Sequence, residues 1–91
     1  MSEATIVKTR TLSKEEIHLL KTSPITQKVR GSGYFFGGSI IEYSDGRRVG
    51  TYAYSQEWEA RVNAPRIGKA MLELFDYIDE VWHNGICVAK R

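Results

Sequence analysis

The side chains that could do chemistry in this chain are two histidines, His18 and His83, and a single cysteine, Cys87. Nucleophilic or acid–base catalysis needs an activated group and a partner that orients it. His18 lies between Ile17 and Leu19 in a helical pattern, with no Gly-x-Ser-x-Gly elbow and no paired Cys-His signature beside it. It reads as a histidine on a helix surface or boundary. Cys87 sits in a short apolar stretch and reads as a small buried hydrophobe. Asp79 and His83 are four residues apart in what reads as one helix and could reach a common cation, with Cys87 just beyond. Zinc sites use three or four ligands in a tighter pattern, so a solvated helix face is the expectation. Gly31-Ser32-Gly33 and Gly37-Gly38 invite comparison with phosphate-binding loops, but those lead through glycines into a helix whose amino end meets the phosphate. No such helix follows here, and the glycines read as a turn and a strand irregularity. The chain is therefore expected to be non-catalytic, with no metal and no cofactor.

Binding chemistry is better represented. Phe35, Ile41, Tyr43, Tyr52 and Tyr54 are placed by strand alternation on one sheet face, bordered by Arg48. Tyrosines supply flat contact area and a polar tip at low entropic cost, so this face could be a recognition platform. It could equally be the core beneath the helices, and with so few apolar residues available the core reading is the heavier one. Arg47 and Arg48 follow a hairpin tip, Lys28 and Arg30 fall on a neighbouring strand, and Arg66 and Lys69 open the late helix. Beside aromatics this is the composition of nucleic-acid-binding sheets, although arginines at a turn are also ordinary solubilising residues.

The elements that must hold these residues follow from local pattern. Residues 4–10 are rich in β-branched types and predict a strand. Ser13 with Glu16 makes a capping box, and Leu12 can staple onto Ile17, so a helix is predicted to about Thr22, where Pro24 stops it. Residues 26–30, 34–43 and 48–55 read as three antiparallel strands, with Asp45-Gly46 a two-residue hairpin loop that sets Tyr43 opposite Arg48 and Ile41 opposite Gly50. Ser55 can cap a short helix containing Trp58 and Val62. Pro65 suits the first position of a new helix whose apolar stripe is Ile67, Met71, Leu74, Ile78 and Val81, with Gly85 after Asn84 as its C-terminal cap. A short strand, residues 86–89, ends the chain. The order β-α-β-β-β-α-α-β implies an α+β fold, an antiparallel or mixed sheet of four to five strands with helices packed mainly on one face.

Length and composition fit this. Ninety-one residues suit one compact domain spanning residues 1–91, and 42% apolar with 26% charged residues is far from the mixture of disordered chains. No apolar run approaches the ~20 residues that span a bilayer, and one cysteine forms no internal disulfide, so a cytoplasmic protein is expected. The opening Met1-Ser2-Glu3, without tag or linker, reads as the start of a complete frame. The net charge of +2 is too small to announce nucleic acid. By elimination the expected function is that of a small binding protein, an adaptor, inhibitor or regulator, docking on a protein through the tyrosine-rich face (Phe35, Tyr43, Tyr52, Tyr54, Arg48) or an edge strand. The alternative is a nucleic-acid binder using Lys28, Arg30, Arg47, Arg48, Arg66 and Lys69. Self-association through a sheet edge is a further expectation.

Overall fold

In the computed structural model, which describes residues 4–28 and 33–91, the capping box starts the first helix where the sequence places it. The Ser13 hydroxyl accepts from the Glu16 amide at 3.1 Å, and the Glu16 carboxylate accepts from the Ser13 amide at 2.8 Å. Strand β1 (Ile6–Thr11) precedes this helix, α1 (Lys14–Thr22). A 3-10 turn (Thr26–Lys28) comes next, then β2 (Phe35–Gly37), β3 (Ser39–Tyr43), β4 (Arg48–Thr51) and β5 (Ala53–Tyr54). Helices α2 (Glu57–Val62) and α3 (Ala64–Leu74) lead to β6 (Glu80–His83) and β7 (Ile86–Lys90).

The fold is α+β with a mixed five-stranded sheet in the order β1-β3-β4-β6-β7, beside a two-stranded ribbon of β2 and β5. Neighbours in the large sheet are antiparallel except β4 and β6, whose parallel pairing requires the long crossover made by β5, α2 and α3. The helices cover one face. A Cβ built on Gly50 would lie 2.9 Å from Ile78 Cδ1 and 3.1 Å from Met71 Cε, so this residue lets the helical layer sit directly on the central strand. Leu20, Ile67, Met71, Phe75, Ile78 and Val81 are completely buried or nearly so in this layer. The Arg91 guanidinium donates to the carbonyls of Leu72, Phe75 and Ile78, satisfying acceptors that the end of α3 leaves open.

Several expectations are corrected. The apolar stripe does not belong to one helix: α3 ends at Leu74, and Val81 lies on β6. The signal misread was Asn84-Gly85, which is not a helix cap but the two-residue loop of a β6–β7 hairpin. Both residues have positive φ, 51° and 76°, and His83 pairs with Ile86 across them. Asp79 and His83 consequently lie at opposite ends of a strand segment, not on the one solvated helix face expected of them. Cys87 is exposed rather than buried.

The β3–β4 register also differs by one residue. The loop is Ser44-Asp45-Gly46, closed by the Gly46 amide on the Tyr43 carbonyl at 2.9 Å and the Tyr43 amide on the Arg47 carbonyl at 2.9 Å. Gly46 has φ 88°, the left-handed residue of a three-residue hairpin. Ile41 therefore faces Val49, not Gly50, and Glu42 faces Arg48. A one-residue slip reverses which side chains share a face.

The expected strand at residues 26–30 is not one over Thr26–Lys28, where the Thr26 hydroxyl instead donates to the Leu20 and Ser23 carbonyls at the end of α1. Arg30 and the Lys28 side chain lie outside the described residues. The long middle strands are each broken, at Gly38 and at Tyr52. Gly38 has φ 147°, and a Cβ there would lie 2.4 Å from the Thr51 carbonyl oxygen, so the chain can turn from β2 into β3 only with glycine. Ser55 does not cap α2. Its hydroxyl accepts from the Tyr34 amide at 2.9 Å, tying β2 to the strand end.

Candidate functional site: the cleft where the two sheets part

The break at Tyr52 opens a cleft between the β2–β5 ribbon and the end of β6. Its volume is about 380 Å³, and Phe36, Tyr52, Tyr54, Glu57, Trp82, His83 and Asn84 are among its lining residues. The base is a parallel stack of Tyr52 on His83, ring centroids 4.4 Å apart and planes within 2°. The Tyr52 hydroxyl donates to the Ala60 carbonyl at 3.1 Å, so the ring is fixed from both ends. Burial, and after it the charge of Glu57, raises the Tyr52 phenol above the ordinary tyrosine range. Burial and the nearby Glu59 do the same to Tyr54.

Glu57 stands at the first position of α2, where a carboxylate suits the positive helix end. One of its oxygens, Oε1, accepts from the Asn84 side-chain Nδ2 and lies 3.3 Å from His83 Nε2. The β6–β7 turn thus orients the carboxylate, whose side chain remains 53% exposed. Phe36 projects at the rim, 60% exposed. Trp82, whose indole N–H donates to Glu80 Oε1 at 2.7 Å, closes the side toward the open sheet face.

The exposed apolar side chains gather around this end. Among the described residues eight large ones are exposed, and five of them, Tyr34, Phe36, Trp58, Val62 and Ile86, belong to or directly flank β2, α2 and β7; Phe36 lines the cleft itself. Trp58 and Val62, one turn apart, are 64% and 69% exposed on α2.

The residues singled out from sequence are not one surface. Phe35 and Tyr52 are buried at 4% and belong to the core, meeting edge to face at 6.1 Å. Tyr54 is half-buried and also packs edge to face on Phe35, at 4.9 Å. Tyr43 lies on the opposite face, the one the helices leave open, with the Arg47 guanidinium 4.6 Å over its ring. Val49 and Trp82 share that open face. Arg48 donates to Asp79 from its backbone and its guanidinium, and Arg47 lies 3.4 Å from Glu80. The two hairpin arginines are thus already neutralised by the chain's own carboxylates. Arg66 and Lys69 are exposed elsewhere, beside Ile25 and Pro65.

Sequence reasoning did not find Glu57, Trp82, His83 and Asn84 as a group. The one available signal was Asn84-Gly85: read as a hairpin dipeptide, it turns His83 and Asn84 back toward the chain instead of along a helix. No family model, curated protein or solved structure matches this chain.

Proposed function

We propose that this chain is a small, non-catalytic binding protein of the cytosol that docks on a protein partner through the end of the molecule containing β2, α2 and the β6–β7 turn. The observation that carries the reading is that five of the eight exposed large apolar side chains among the described residues, Tyr34, Phe36, Trp58, Val62 and Ile86, belong to or flank β2, α2 and β7, with Phe36 at the cleft itself. Contiguous exposed apolar surface marks interaction sites, and interface energy concentrates in a few aromatic anchors. The tyrosine face first expected to play this part contributes its buried half to the core instead, so the docking surface moves to the residues that flank it. The nucleic-acid alternative loses support because Arg47 and Arg48 are paired within the chain.

The test compares capture of partners by the wild type, by Trp58→Ser with Phe36→Ser, and by Leu19→Ser, a control at an exposed apolar position on α1. All three are expected to unfold at similar denaturant concentrations, since none of these side chains is buried. Each aromatic anchor should be worth ~2 kcal/mol of affinity, so the double variant releases a partner that the control retains. Equal capture by all three, or binding to DNA resin that falls steeply with salt, would defeat the proposal.

A further inference from the structure

We infer that the cleft is a recognition site for an organic cation, an alkylammonium or guanidinium group. Four of its lining residues are aromatic, Phe36, Tyr52, Tyr54 and Trp82. The face of an aromatic ring is the negative part of its quadrupole and attracts cations, most strongly where water is partly excluded. Among the described lining residues, Glu57 alone carries a formal charge, and that charge is negative. Both features select the same sign of ligand.

The carboxylate is placed rather than free to wander. Its Oε1 is held by Asn84 and His83, while Oε2 makes no hydrogen bond among the described residues and remains as an acceptor. The base of the cleft is equally fixed, because Tyr52 is stacked on His83 and bonded to Ala60. The volume, about 380 Å³, is at the small end of ligand pockets, enough for the end of one side chain or a small amine. An anion would be repelled by Glu57, and a neutral group would gain nothing from its charge.

Two sources share this chemistry: a lysine or arginine of the docked protein, or a free quaternary amine. The first source rests on the docking proposal, the cation selectivity does not. The test follows the Trp82 indole N–H by NMR while the purified chain is titrated with tetramethylammonium chloride, N-acetyl-lysine amide and N-acetyl-arginine amide. The neutral isostere 3,3-dimethylbutanol and sodium acetate serve as comparisons. Saturable shifts with the cations, at least about tenfold tighter than with the neutral isostere, are expected. Glu57→Gln keeps an acceptor for Asn84 and should remove that preference, and Trp82→Leu, followed at the Asn84 side-chain amide because the indole is gone, should remove the binding. Tighter binding of the lysine or arginine derivative would assign a partner's side chain, and tighter binding of tetramethylammonium a free amine. Equal binding of the neutral isostere, or no saturable shift with any cation, overturns the inference. If cations fail to bind while the Trp58 and Phe36 variants still release a partner, this inference alone falls; the reverse result removes the docking surface alone.

Discussion

Glu16 joins three separate parts of the chain. Its carboxylate pairs with the Arg10 guanidinium at 2.8 and 3.0 Å, accepts from the Ser13 amide, and accepts from the Tyr77 hydroxyl. The Arg10 hydrogen bonds are the main reason that its pKa lies at about 2, against an ordinary 4.5. Tyr77, through burial first and this bond second, is pushed up to about 12. A carboxylate with a depressed native pKa gives stability that is present above its unfolded value and lost as pH falls through the native one. The window is therefore about pH 4.5 down to about 2. The full shift would correspond to about 3 kcal/mol, and solvent screening at the half-exposed Arg10 reduces this to about 2 kcal/mol. Urea denaturation should show the wild type losing that much more stability across the window than Glu16→Gln, which has no charge to lose. Parallel curves for the two proteins would mean that the network contributes no net stability.

Among the elements, α3 shows what periodicity can and cannot fix. Leu74 and Ile78 occupy the middle of one apolar stripe in the sequence and would be expected to carry equal weight. In the structure the helix stops at Leu74, which is half-buried, whereas Ile78 is fully buried against Gly50 after the chain has left the helix. Ile78→Ala should cost ~2 to 5 kcal/mol in chemical denaturation, and Leu74→Ala markedly less, because the cost follows the volume left empty in a closed site. Equal losses would put Leu74 as deep in the core as Ile78. Local signals were legible wherever they were self-contained: the Ser13 capping box and the β-branched β1 hold, and Pro65 marks the start of α3 to within one residue. The failures share a physical cause. A glycine-containing dipeptide permits positive φ for more than one purpose, so Asp45-Gly46 and Asn84-Gly85 each admitted two backbone solutions. The choice between them depends on cross-strand partners that are distant in sequence. One wrong choice slipped a register and the other turned a strand into a helix, which is why Tyr43 was grouped with Tyr52 and why His83 was not grouped with Glu57.

At the scale of the whole molecule, the sheet ends in two edge strands that pair with no further strand among the described residues. The radius of gyration, 12.8 Å, is that of one compact domain of this length, but the fold does not close on itself. β7 forms one edge and β1 the other, and all six residues of β1 are exposed. A strand edge with unpaired amides and carbonyls is a template for a second copy, and proteins blunt such edges with lysine and with bulges. β1 has both devices: its pairing with β3 is interrupted between Ile6 and Lys8, and Lys8 stands on the edge beside exposed Ile6 and Val7. Without that charge, the remaining Ile-Val-x-Thr pattern has high β propensity and only the bulge to oppose an antiparallel partner. Lys8→Val should therefore leave the folded stability within about 0.5 kcal/mol, as a surface change does, while raising the apparent mass in light scattering as protein concentration increases. The added species should disappear in Lys8→Val combined with Val7→Lys, which returns a charge to the same edge. If Lys8→Val stays as monomeric as the wild type over the same concentrations, the bulge alone protects β1, and the lysine has no part in keeping copies of the chain apart.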